Sequence, residues 1–428
     1  MDLSQAGQTR ELCIFLVIQG VVSYRSVPRI LTLINTATGQ STAWVPHFTS
    51  VINWILRLGL GLLKQVKPIA QPWLAIIDHS IDVGTKKALV VLRVPVDVLS
   101  QKSGAIQLQD CECIGLRISE TVNGDSVALE LSEIFRQAGT PTAIIKDCDR
   151  TLNKGVNLWR EKPDADIPVI EDISHVMASA LKKQYEDTDD YRKFTSLISK
   201  GAKNLRQTAL AFLAPPKLRT KGRFLSIGRL GRWGEKILDV LSAGKDTRDD
   251  ETLNKLRAAL PDFDDRRTFI HRFAGTAKVV SQVMELLKNN GLNRSTFGKC
   301  RRLAETLSDD PEVKQTLLDW LKRHIAVKRQ VTRFPLPVSS DIIESLFGRF
   351  KHMLERNPQA DMNRSALLIP VLCGTLDETT IGRALSNAPH NSLKEWEQEN
   401  IPYTMRKKRR EFFGSAKPKI GKACVGKT

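Results

Sequence analysis

Leu74-Ala75-Ile76-Ile77-Asp78 is the stretch on which the fold turns: an unbroken apolar run closing on a carboxylate. A run this short and this apolar is what a strand buried on both faces looks like. Downstream, Ala88-Leu89-Val90-Val91-Leu92-Arg93-Val94 predicts a second strand, and Cys113-Ile114-Gly115-Leu116-Arg117-Ile118 a third. From Asn123 to Ala138, Val127, Leu131, Ile134 and Phe135 recur at helical spacing, and Gly139 is suited to end that helix. Thr142-Ala143-Ile144-Ile145-Lys146-Asp147 is a fourth apolar run that again ends in an acid. A short helix over Thr151 to Arg160 and a fifth strand at Ile167-Pro168-Val169-Ile170 complete the pattern. The order β-β-β-α-β-α-β marks residues 67–179 as the first part of an α/β core.

Outward from that core the texture becomes helical. Upstream, residues 1–66 predict three short helices. Ser26 and Pro28 suit the start of the second, Pro46 opens the third, and Gly59 is expected to end it. Their spacing reads either as a helix-turn-helix DNA-binding domain or as an ordinary helical cap on the neighbouring domain. Downstream, residues 180–334 are almost wholly helical. Over 335–402, Ser339-Ser340-Asp341 caps a helix carrying Ile343, Leu346, Phe347 and Phe350 on one face. After Tyr403, residues 403–428 read as a basic disordered tail.

Composition narrows the function. The 428 residues hold 65 Lys and Arg against 47 Asp and Glu, a formal charge of +18. Two blocks hold nearly all of that surplus. Lys200–Lys236 has ten basic residues and only Glu235 against them, including Arg219, Lys221, Arg223, Arg229 and Arg232. Arg406–Thr428 has nine basic residues and only Glu411, including Lys407, Lys408, Arg409 and Arg410. A single such block is commonly a solvated face; two of similar size point to a polyanion, double-stranded DNA above all. Apolar runs stop far short of the about 18 residues of a membrane span. The N-terminus lacks the basic-then-apolar order of a secretion signal. Seven scattered cysteines suggest reduced thiols and a cytoplasmic protein. Cys111-x-Cys113, without a second pair, reads as core thiols rather than a zinc site. Phosphate-binding glycine loops, dinucleotide turns and nucleophile elbows are missing from the sequence.

The element order matches the ribonuclease-H-like fold, in which strands one and four lie side by side. Asp78 and Asp147 would then point at one spot, and Glu344, in the first turn of the capped helix, is the third acid. Converging carboxylates repel unless cations intervene, which calls for two Mg²⁺ ions, with Mn²⁺ able to substitute. Two such ions activate a water and stabilise a leaving oxygen at a phosphodiester. Asp149 competes with Asp147, which is favoured because it directly ends the apolar run; Asp82 is a weaker rival to Asp78.

Three blocks resemble those of bacterial insertion-sequence DDE transposases, of the ribonuclease-H-like, retroviral integrase superfamily. They are Ala75-Ile76-Ile77-Asp78-His79-Ser80, Ala143-Ile144-Ile145-Lys146-Asp147, and Ser340-Asp341-Ile342-Ile343-Glu344-Ser345-Leu346-Phe347-Gly348-Arg349-Phe350-Lys351. The resemblance implies metal binding by Asp78, Asp147 and Glu344, and DNA contact by Lys351; Arg349, two residues before it, is a further candidate for DNA contact. It also implies cleavage at the ends of a mobile element and joining of the 3′-hydroxyls to target DNA. A homodimer or higher oligomer on the DNA and a bacterial, nucleoid-associated location follow from the same resemblance. The 197-residue gap from Asp147 to Glu344 resembles the subgroup with an insertion domain before the third acid. His175 resembles the histidine that relatives place after strand five, close to the active site, although such a residue is more often a structural hydrogen-bonding group than a ligand. A catalytically silent DNA-binding protein of transposase descent is the alternative.

Overall fold

The computed structural model describes residues 3–39, 44–69, 71–79, 86–102, 104–119, 121–163, 165–217, 224, 227–243, 251–331, 334–355, 363–401 and 405–415. Arg219, Lys221, Arg223 and Asp82 lie outside them. Helices α1 (Leu3–Ile18), α2 (Ser26–Ala37) and α3 (Phe48–Lys64) come first. The core follows as β1 (Trp73–His79), β2 (Lys87–Pro95), α4 (Val96–Gln101), β3 (Glu112–Ser119), α5 (Gly124–Ala138), β4 (Ala143–Lys146), α6 (Arg150–Arg160) and β5 (Val169–Glu171).

The five strands form one mixed sheet in the order β3-β2-β1-β4-β5. Strands β1 to β3 meander antiparallel, whereas β4 and β5 run parallel to β1. Strands one and four are therefore direct neighbours, as the element order predicts. Alternation along β1 sends Trp73, Ala75 and Ile77 into a core beneath α5 and α6. Leu74 and Ile76 go into the larger core on the other face. Both faces are buried, which explains why these strands read as continuous apolar runs.

A helical excursion leaves the sheet after β5: α7 (Ile173–Tyr185), α8 (Asp189–Arg206), α9 (Ile227–Ala243), α10 (Glu251–Ala259), α11 (Arg267–Asn290), α12 (Arg294–Glu305) and α13 (Pro311–Val331). Aromatic rings knit it together, with Phe273 packed against Tyr185, Tyr191, Phe194 and Phe269. Helix α13 returns to the sheet edge, where Trp320 Nε1 donates to Glu171 O (3.0 Å) and Glu171 N to His324 Nε2 (3.1 Å). The chain then finishes with α14 (Asp341–Glu355), α15 (Leu368–Val371), α16 (Glu378–Asn387), α17 (His390–Asn400) and α18 (Met405–Ser415). Among the described residues no helix is long and apolar enough to cross a membrane.

Two sequence readings are corrected here. Gly59 does not end α3, which continues through Gly61 to Lys64. A Cβ on Gly59 would fall 1.8 Å from Leu367 O, and one on Gly61 1.8 Å from Ala384 O. These glycines permit close helix contact rather than a stop. Helix α3 is thus enclosed by α1, α15, α16, α17 and β3, and Arg57 donates to Ala388 O and Leu385 O at the end of α16. The tail is the second correction, in part: of 403–428 only Met405–Ser415 lies among the described residues, and it is a helix rather than disordered chain. Its Lys and Arg residues are good helix formers, which accounts for the outcome. Both Cys111 and Cys113 are buried thiols.

Candidate active site

The parallel pairing of β1 with β4 runs in register from Leu74 and Ala143 to Ile77 and Lys146. One step further along each chain come Asp78 and Asp147. By alternation Asp78 shares the face of Leu74 and Ile76, on which α14 packs against β1. Lys146 takes the opposite face, where its Nζ donates to Asn153 Oδ1 on α6. Two acids therefore arrive together because two apolar strands end together.

Asp78 is only 6% exposed. Burial, and next the charge of Asp147, push its carboxyl up to about 7, against the lowering effects of the His79 N–H, the His79 ring and His175. Its Oδ1 accepts from His79 N (2.6 Å), and Asp147 Oδ1 accepts from Asp149 N (2.9 Å). Asp149 is occupied otherwise. It caps α6 by accepting from Thr151 N (2.7 Å) and Leu152 N (3.1 Å), and it contacts His79 Nε2 at 2.9 Å. Burial opposes its ionisation, but those bonds and His79 hold its carboxyl below the usual value. Asp149 is built as a structural cap, while Asp147 is the charge felt by Asp78.

Glu344 stands in the first turn of α14, exposed, with its Oε1 3.4 Å from His175 Nε2 in the first turn of α7. Burial would lower the His175 ring, yet the hydrogen bond with Glu344 and the charges of Asp172, Asp147 and Glu344 raise it to about 9. Asp78, Asp147, His175 and Glu344 thus form one electrostatic group. Among the described residues, no three or more His, Cys, Asp or Glu side chains are arranged to hold a metal ion as they stand; Glu344 is engaged with His175 instead.

Both turns depend on Asp172, fully buried at 0% exposure. Its Oδ1 accepts from Ser174 N (2.6 Å) and His175 N (3.2 Å). Its Oδ2 accepts from Ser339 Oγ (3.1 Å), Ser340 N and Ser340 Oγ (2.8 Å). Sequence reasoning passed over both Asp172 and His79. The signal for His79 was its place beside Asp78 at a strand end, matching that of Asp149 beyond Asp147; Asp172 could be read only as the cap of α7, because its partners ahead of α14 are 167 and 168 residues away.

Of the basic residues, Arg349 and Lys351 are exposed on α14. Arg349 lines an open groove of about 710 Å³ with Gln107, Ser345 and Thr375. Lys351 is seven residues beyond Glu344, on the same helix side. Arg229 and Arg232 are exposed on α9, and Lys407, Lys408, Arg409 and Arg410 on α18. Among the described residues α9 packs on α11, and neither α9 nor α18 packs on β1, β4 or α14.

Comparison with known proteins adds little. No protein-family model matches the chain, and neither does any curated protein. Among solved structures, the chain is similar to the Drosophila P element transposase in a strand transfer complex. Identity is 10%, the TM-score is 0.44, and the match covers 85% of this chain and 91% of that one. So shallow a likeness carries no statement about function.

Proposed function

We propose that this chain is a DDE-type DNA transposase with a ribonuclease-H-like catalytic sheet, cutting at element ends and joining the 3′-hydroxyls to target DNA. The observation that carries this reading is the pair Asp78 and Asp147 at the ends of adjacent parallel strands. They lie on the face where α14 presents Glu344, in a chain whose surplus of positive charge gathers in two blocks. The donor chemistry suits Mg²⁺ or Mn²⁺: hard carboxylate oxygens, with Asp78 kept from ionising by burial first and by the charge of Asp147 next. Asp78, Asp147 and Glu344 are the residues that would hold two such ions. When bound, divalent cations supply activation of a water and stabilisation of the leaving oxygen at a phosphodiester.

The chain's own groups do the rest. Asp78 is itself shielded from bulk water, so charge placed beside it acts strongly. His175 holds Glu344 at the mouth of the site, and Arg349 and Lys351 offer cations for phosphate oxygens along α14. Double-stranded DNA is the proposed substrate, with two or more copies of the chain bridging two ends. The pairing of Glu344 with His175 favours a second reading, a DNA-binding protein that no longer cuts.

The experiment uses the purified full chain and DNA carrying the repeats that flank its gene, with Mg²⁺ or Mn²⁺. Cleavage leaving 3′-hydroxyls, followed by joining, is expected, with a loss of about a thousandfold or more in Asp78→Asn and Asp147→Asn. Wild-type rates in either variant would overturn the assignment. Loss in Asp149→Asn with retention in Asp147→Asn would exchange those two acids. DNA binding without cleavage under both metals would establish the silent reading.

A further inference from the structure

We infer that Asp172 is the positioning residue of this site: one carboxylate joins the two helix starts that bring His175 and Glu344 together. The inference rests on the DNA-cleaving reading above and goes beyond it, because Asp172 is not one of the three acids. Its two oxygens are divided between partners. Oδ1 serves only the first turn of α7, through Ser174 N and His175 N. Oδ2 serves only the approach to α14, through Ser339 Oγ and both donors of Ser340. A main-chain bond from Ile173 N to Val338 O (3.1 Å) runs beside them. Between the two starts lies the whole helical excursion from α8 to α13, so nothing local in the sequence holds one against the other.

Charge explains why an acid is used. Five donors converge on a fully buried group, and a carboxylate faces them with accepting oxygens on both sides and no proton of its own to leave unpaired. Two of the donors are main-chain N–H groups of the α7 N-terminus, where the helix dipole favours a negative charge. His175 follows Asp172 by three residues and Glu344 follows Ser340 by four, so each functional side chain sits one turn from the joint. A shift at the joint therefore moves both ends of the 3.4 Å contact. Rigid placement of this kind governs rate more than binding, because small displacements at a reacting centre lower turnover steeply.

The test compares Asp172→Leu, Asp172→Asn and Asp310→Asn in the full chain. Asp310 is a buried acid of the helical excursion, ion-paired with Arg272, and serves as a control for lost stability. Hydrogen exchange is read over residues 173–178 and 340–346, and DNA cleavage is read as kcat and KM. For Asp172→Leu, both segments are expected to lose at least tenfold in protection together while β1 to β3 keep theirs. Its kcat falls at least tenfold while KM for DNA stays within twofold. Asp172→Asn retains one accepting oxygen, so one segment recovers protection and kcat is intermediate. Asp310→Asn loses stability but keeps kcat. Persisting protection of 340–346 in Asp172→Leu would overturn the inference, as would exchange rising equally across the sheet. Should the wild-type chain cut no DNA, the cleavage reading falls, and the exchange pattern still decides whether Asp172 is the joint.

Discussion

Two acids lie almost equally deep in this chain and are treated in opposite ways. Asp310, 2% exposed, accepts from Arg272 Nε (3.2 Å), Arg272 Nη2 (3.0 Å) and Thr276 Oγ1 where α11 meets the start of α13. Asp78, 6% exposed, receives one main-chain N–H and faces Asp147. A compensated buried charge locks elements together. One set against a second acid costs stability, and its natural use is to await a positive ligand. The helical excursion therefore compensates its buried acid, and the sheet leaves its own facing a second carboxylate.

That contrast breaks most visibly under pH. Burial and Asp147 raise the Asp78 carboxyl from 3.8 to about 7. A carboxyl raised on folding loses stability as pH climbs from 3.8 to about 7, here by roughly 4 kcal/mol in full. Asp78→Asn removes the penalty. It is expected to exceed wild type in stability at pH 8 and to match it near pH 4, as denaturant midpoints would show. Asp310→Asn is expected to lose roughly 2 kcal/mol at pH 8, since Arg272 is 42% exposed and finds water. A less stable Asp78→Asn at pH 8 would remove the distinction between the two acids.

His324 supplies a slope of the other sign. Burial chiefly pushes its ring down to about 4 from 6.5, and its Nε2 must stay unprotonated to accept from Glu171 N. A histidine lowered on folding contributes stability above 6.5 that is lost as pH falls towards 4, roughly 3 kcal/mol. Over pH 4 to 6.5 the two slopes oppose each other, so wild-type stability is expected to be nearly flat there. In Asp78→Asn the His324 slope stands alone, and stability rises with pH across that window. A flat profile in Asp78→Asn would show that α13 does not depend on a neutral His324.

How much of this was legible in the sequence follows from where the partners lie. The strands were readable because burial on both faces writes itself as consecutive apolar residues, and Asp78 and Asp147 because each closes such a run. The helix carrying Glu344 announced itself through Ser339, Ser340 and the apolar face from Ile343 to Phe350. Asp172 was readable only as a helix cap and Gly59 was not readable, since their further partners lie far along the chain. Gly59 looks locally like a helix end, whereas the structure uses its missing side chain to seat Leu367 O. Gly59→Ala is accordingly expected to cost about 3 kcal/mol, because a main-chain carbonyl cannot turn aside as a flexible side chain can. Gly7→Ala, with nothing within 4 Å of the added atom, is the control in the same thermal melt. Equal midpoints would mean that α3 and the 364–371 turn are not in close contact.

The smallest expected effects separate the two basic helices. On α9, Arg229, Arg232 and Lys236 are all exposed and spaced by three and four residues, so they lie along one side of an anchored helix. On α18, Lys407, Lys408, Arg409 and Arg410 are consecutive, and successive residues turn by about 100° around the axis. Only some of them can face one DNA strand at once. Each phosphate neutralised contributes about 0.9 to the slope of log affinity against log salt. Alanine at the three α9 positions is therefore expected to flatten that slope by about 2 to 3, and alanine at the four α18 positions by about 1 to 2. Binding titrations from 50 to 200 mM salt on a duplex of arbitrary sequence measure both. A larger change per residue from α18 would make the terminal helix, and not the helical excursion, the principal grip on DNA.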